Sequence, residues 1–165
     1  EGTNSGESEE TAKQEEKKAQ LAEDKFKVAL KEEIGQGLID IERKDDKVII
    51  TVGSGGAFKS GSAELTGKAK KIMEKIAEVN EKGRSEILVS GHTDNKPLTF
   101  GSIYRDNWDL AAARSSSVVQ ELASSGKLKP DRMKAISYGE TQPVASNEDV
   151  KGREKNRRIE IEINY

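Results

Sequence analysis

Residues 158–164 read Arg-Ile-Glu-Ile-Glu-Ile-Asn, apolar and polar side chains in strict alternation. Successive side chains of a strand point to opposite faces, so this run satisfies itself as a β-strand with one dry face and one wet face. A sheet with one dry face needs an amphipathic layer over it. Two stretches can supply that layer. Leu65, Ala69, Ile72, Ile76 and Val79 recur at steps of 4, 3, 4 and 3, one buried face of a helix that Gly83 closes. Trp108, Ala111, Ser115, Val118 and Leu122 make the core face of a second helix, capped by Asp106 or Asn107 and ended by Gly126 and Pro130. Further strands are expected at 38–41 and 48–52, joined as a hairpin through a charged turn at 42–47, and at 86–90 and 135–138. Residues 140–152, with Pro143, read as a loop. The order is ββαβαββ after an N-terminal helix. It predicts an α+β fold in which helices cover one face of a mixed sheet.

The first part of the chain is different. Residues 1–33 hold 6 Lys/Arg against 10 Asp/Glu, and residues 34–165 hold 22 against 20. Residues 1–12 show no apolar period and read as a disordered linker. Residues 13–37 read as a helix and spacer rich in Lys, Glu, Ala and Gln, with Leu21, Lys25, Val28 and Glu32 on one face and Phe26, Ala29, Leu30 and Glu33 near it. Gly35 and Gly37 end it, and residues 38–165 form the folded domain. A chain that opens EGTNSGESEE without Met is expected to be a mature product or a piece of a longer one.

Charge and motifs exclude several functions. A net charge of −2 and only seven aromatic residues argue against a nucleic-acid partner. With no Cys and a single His, no cofactor or metal site is expected. The glycine-rich stretch 53–60 has Phe58 where a phosphate loop needs Gly before Lys-Ser, so Phe58 is read as a hydrophobic anchor of a strand-to-helix loop. His92 and Asp94 lie near Ser90 and Ser102, but no G-x-S-x-G elbow exists, and a catalytic role is not expected.

Asp94 and Arg114 are the sharper pair. Asp94 ends a strand, in LVSGHTD (88–94), and Arg114 lies in the second turn of the following helix, so both can meet at the strand's C-terminal edge. One reading is a plain structural salt bridge. The other is a site for a zwitterion: the planar guanidinium fork takes a carboxylate and the carboxylate takes an ammonium.

The series LVSGHTD, NWDLAAARSSSVV (107–119), GETQP (139–143) and GREKNRRIEI (152–161) resembles the OmpA-like peptidoglycan-binding domain over roughly residues 47–164. The resemblance implies an OmpA-like two-layer sandwich and a non-enzymatic role. It implies a periplasmic location and binding of the diaminopimelate-bearing peptide stem of peptidoglycan. By motif position, Asp94 would hold the ammonium and Arg114 the carboxylate, while Thr93, Asn107, Leu110 and Arg158 would line or support the pocket. Asn156 and Arg157 share the Asn-Arg-Arg motif. The segment Phe58–Leu65, followed by GHTDN and NWDLAAAR, resembles the B subunits of flagellar motor stators (the MotB/PomB family), with the Gly-Gly-Ala-Phe form and NRRIEIEI nearer to the sodium type. Residues 96–105 are longer than in typical outer-membrane members. This implies a wall anchor for an ion-driven torque unit, a homodimer, and a stator A subunit reached through an N-terminal inner-membrane span outside this chain. Periplasmic flagellar ring proteins are further partners it implies. A spacer that converts from helix to extended chain would more than double its reach. The alternative is the peptidoglycan tether of an outer-membrane protein or lipoprotein.

Overall fold

The computed structural model describes residues 3–165. A five-stranded mixed sheet in the order β1-β2-β5-β3-β4 forms its centre. The strands are β1 (Ile39–Lys44), β2 (Lys47–Gly53), β3 (Glu86–His92), β4 (Met133–Gly139) and β5 (Arg158–Asn164). The alternating run takes the middle place, antiparallel to both β2 and β3. Ile159, Ile161 and Ile163 oppose Val52, Ile50 and Val48 on one side, and Gly91, Val89 and Ile87 on the other. All of those apolar side chains are buried, while Glu160 and Glu162 take the opposite face, as the alternation requires. Only β3 and β4 are parallel, and their connection runs through α5 (Asn107–Ser124), the crossover that parallel pairing needs.

The hairpin is tighter than expected. Residues 42–44 and 47 belong to the strands, and only Asp45 and Asp46 turn the chain. Asp45 adopts φ 55°, which a short polar side chain tolerates in a two-residue hairpin loop.

Two helices cover the dry face, as expected: α5, and α4 (Gly67–Asn80), which is capped by the Thr66 hydroxyl accepting from the Ala69 amide. Leu65 precedes the cap and pairs with Phe58 in a β-bridge, so it belongs to the loop and not to the helix. The face of α5 is also turned from the expected one. Ala111, Ser115, Val118 and Leu122 are buried, but Trp108 is half-exposed and packs along the position a Gly139 side chain would occupy.

At the N-terminus, α1 (Thr3–Ala29) and the short α2 (Lys31–Gly35) precede the sheet. Of the linker expected at 1–12, residues 1 and 2 lie outside the described residues, and from Thr3 the chain is helical. Glu, Ala, Lys and Gln favour that helix even where nothing packs on it. α1 lies against β1, β2 and α4. The face it buries is Ala19, Ala22 and Phe26, continued by Leu30 just past its end, while Leu21 (61% exposed) and Val28 (78%) point outward. Alanines at two of the four contacts let the helix approach the sheet closely and bring the bulkier Phe26 and Leu30 into the core.

The loop expected at 140–152 contains the start of a further helix, α6 (Val150–Asn156), and a four-residue helix, α3 (Ser54–Ala57), follows β2. The Asp149 side chain caps α6 by accepting from the Gly152 amide at 2.6 Å. A side chain at Gly152 would run into the Ser146 carbonyl. Buried Asn156 staples the preceding loop: its Oδ1 accepts from the amides of Val144 (2.8 Å) and Ala145 (3.0 Å), and its Nδ2 donates to the Ala145 carbonyl and Asn147 Oδ1. Among the described residues no helix is long and apolar enough to cross a membrane.

Candidate ligand-binding site

The antiparallel pairing of β3 and β5 aligns His92 with Arg158, so the chain leaving β3 meets the chain entering β5. That brings Asp94 beside Arg157. The pair is close, Arg157 Nη1 donating to Asp94 Oδ2 at 2.7 Å, and the other carboxylate oxygen accepts from the Lys96 amide at 2.9 Å. α5 then folds back across the end of β3. It comes so near that a side chain at Gly91 would collide with the Ala111 backbone, which is why the LVSGHTD run carries a glycine there. The crossing sets Arg114, one turn beyond Ala111, over the same end of the sheet.

Arg114 is 8% exposed. Its Nε donates to the Ser62 carbonyl at 2.9 Å, and its guanidinium carbon stands 4.9 Å from the centre of the Phe58 ring, a cation–π contact. Burial holds this guanidinium below its ordinary pKa; Tyr104 works against that shift and neighbouring Arg157 adds to it. Among the described residues Arg114 forms no ion pair, so Asp94 and Arg114 are not joined in a salt bridge. A guanidinium buried without a carboxylate is costly. A guanidinium fork can take a carboxylate, and a carboxylate paired on one side, as Asp94 is, can take an ammonium.

The other expected residues divide. Thr93 is buried; its amide donates to the Gly139 carbonyl at 2.9 Å and its hydroxyl to the Asp94 carbonyl at 2.8 Å, which fixes the backbone that carries the carboxylate. Asn107 Nδ2 donates to the carbonyls of Asp94 (3.3 Å) and Lys96 (3.0 Å). Leu110 is buried but stands apart from the main hydrophobic cluster. Arg158 does not join the group. It is turned to the opposite face, where its Nε and Nη2 hold Glu160 Oε2 at 2.9 and 2.7 Å and its Nη groups donate to the carbonyls of Asn156 and Gln142. Neighbours in a strand point oppositely, so only one of Arg157 and Arg158 could reach Asp94. The 158–164 alternation, with Ile159 inward, already places Arg158 on the face of Glu160. Phe58, Ser62 and Tyr104 had no signal of this role in the sequence, because they come from loops whose course only the fold sets.

His92 belongs to the same outer face. Ser90 Oγ (2.9 Å) and Glu160 Oε2 (3.3 Å) both approach its Nε2, the ring stacks on Tyr138 with centroids 5.3 Å apart, and Nδ1 has no hydrogen-bond partner among the described residues. A relay needs nucleophile and acid on different ring nitrogens, and here both meet the same one. Burial, then Arg158, pushes the His92 pKa down to about 4 against the pull of Glu160, so the ring is neutral near pH 7.

Residues 57–157 match the sequence profile of the OmpA family. The chain belongs to the OmpA family. Motility protein B of Bacillus subtilis is 33% identical over 127 residues, 76% of this chain and 48% of that protein. A MotB-like protein from Desulfovibrio vulgaris shares the OmpA-family fold seen here, with a TM-score of 0.85 over 93% of this chain and 95% of that one at 21% identity. The cell wall anchor of the T6SS from Pseudomonas aeruginosa superposes with a TM-score of 0.75 at 29% identity, covering 84% of this chain and 96% of that one. This OmpA-family chain spans about half the length of the curated relatives it matches. Their names give no support to the sodium-type kinship expected from residues 55–58 and 156–163.

Proposed function

We propose that this chain is the periplasmic, peptidoglycan-binding part of a stator B subunit and anchors an ion-driven torque unit to the cell wall without catalysis. The observation that carries the reading is the buried Arg114 guanidinium without an ion pair, set beside the Asp94–Arg157 pair. The ligand is the diaminopimelate residue of the peptide stem: Arg114 takes its carboxylate and Asp94 its ammonium, while Thr93, Asn107 and Leu110 hold the backbone and wall around them. Kinship to motility protein B and likeness to a cell wall anchor support the assignment. In this reading residues 13–37 are the spacer and 38–165 the binding domain. The protein acts as a homodimer, and a membrane segment outside this chain joins the stator A subunit.

Co-sedimentation with purified peptidoglycan tests the proposal. Asp94→Ala and Arg114→Ala proteins keep their circular dichroism spectra and stay in the supernatant, whereas the unaltered protein pellets. Undiminished pelleting of both variants would refute it.

A further inference from the structure

A second charged site lies at the end of the sheet remote from Asp94 and Arg114. Those two stand where β3 ends and β5 begins; the other end is bounded by Ser85, just before β3, and by Asn164 and Tyr165 at the close of β5. Strands of seven residues hold the two ends roughly 20 Å apart. There α1 and the turn at 81–85 enclose a cleft of about 600 Å³. Lys18 and Lys25 line it from α1, and Lys82 and Arg84 from the turn; among the described residues no Asp or Glu side chain does. All four cations are exposed, and among the described residues none of them forms an ion pair. The carboxylates nearby are already engaged, Glu23 by Lys27 and Arg43, Glu78 by Lys127 and Glu86 by Lys134, while Asp24 and Glu81 lie outside the lining. Exposed Leu21 also lines the cleft, and exposed Val28 follows it seven residues on, along the same side of the helix. The core uses neither of these apolar side chains.

We infer that this face is a peripheral docking surface for anionic phospholipid, with headgroup phosphates in the cleft and Leu21 and Val28 at the acyl boundary. A helix that sets apolar side chains among lysines suits the plane of a membrane interface. Lys and Arg stems run along apolar surface while their charged ends stay in water, so the cations can meet phosphates while Leu21 reaches past them. A protein partner fits this face less well. Three of the four cations are Lys, a residue depleted from the cores of protein interfaces. A fixed carboxylate on a folded partner is best met by the planar fork of Arg, whereas laterally mobile headgroup phosphates need only the point charge of Lys. In an anchor set between membrane and wall, the lipid face and the wall grip would then occupy opposite ends of one sheet. The docking surface itself does not depend on the grip.

Co-sedimentation of the 165-residue protein with two kinds of vesicle tests the inference: phosphatidylcholine alone, and phosphatidylcholine with an equal share of phosphatidylglycerol. The unaltered protein is expected to pellet only with the second kind, and to be released as salt rises to about 0.5 M. Each cation near an anionic surface contributes about fivefold, so Lys18→Gln/Lys25→Gln should bind these vesicles more than about tenfold more weakly. Leu21→Ala/Val28→Ala should also bind them more weakly. Lys151→Gln/Lys155→Gln removes the same charge from α6, which precedes the opposite end of β5, and should bind as the unaltered protein does. All the substituted side chains are exposed, and circular dichroism with urea midpoints verifies that each variant folds. Failure of the unaltered protein to bind the anionic vesicles overturns the inference. So does equal binding by either cleft variant, or an equal loss in the α6 variant. Release from the vesicles by free glycerol phosphate overturns it in favour of a soluble phosphate compound. Each variant is also sedimented with purified peptidoglycan, where unchanged pelleting is expected; a parallel fall overturns the separation of the two faces. Vesicle binding is read without wall material, so failure of the grip at Asp94 and Arg114 leaves this result standing.

Discussion

Arg114 is expensive where it stands. Phe58 and the Ser62 carbonyl offset part of its burial, but neither carries a full negative charge. Two predictions follow from that environment. Arg114→Lys keeps the charge and loses the planar fork, so wall binding should fall by tenfold or more, about 1.4 kcal/mol, with folding intact; binding isotherms on purified peptidoglycan read it. Phe58→Leu removes the ring face while staying apolar, and should cost about 1–2 kcal/mol in urea denaturation while also weakening binding. Arg157 is the residue that the motif reading left without a role and that the structure puts on Asp94. Its neighbour Arg158, which that reading chose, serves the other face of the sheet.

At the scale of elements, packing selects among faces that local patterns leave open. α1 carries two candidate stripes, and the sheet accepts the one with Phe26 and Leu30. Phe26→Ala should therefore destabilise by about 3–5 kcal/mol, whereas Leu21→Ala and Val28→Ala should stay within about 0.5 kcal/mol. Denaturant midpoints of the three variants separate the stripes. The β3–α5 crossing is equally exacting. Gly91→Ala would press a methyl group into the Ala111 backbone, so helix and strand must part and Arg114 move off the sheet end. The expected outcome is a loss of stability of more than about 2 kcal/mol together with loss of wall binding, read by thermal melts and co-sedimentation.

For the whole molecule, the acid limb of stability follows from His92. Its pKa is about 4 in the fold and about 6.5 when unfolded. Between those values the unfolded chain binds a proton that the native one refuses, so this contribution is complete above pH 6.5 and is lost as pH falls toward 4. Unfolding free energy should drop by about 2 kcal/mol between pH 7 and pH 5 from this group alone, and His92→Gln should flatten that slope. Strand number and the two covering helices were legible because period-2 and period-3.6 patterns depend only on near neighbours; the central place of the alternating run was not, since pairing with two distant strands sets it. The caps at Thr66 and Asp149 are equally local, yet the short α6 hid inside a stretch that reads as loop. Asp94 and Arg114 could be chosen from the sequence as a pair with matching chemistry; whether they neutralise each other could not. That depended on which of two adjacent arginines faces Asp94, on the Ser62 and Phe58 cradle, and on the course of residues 96–105. All of these are contacts between segments far apart in the chain, and only packing the sheet, the helices and the loops together decides them.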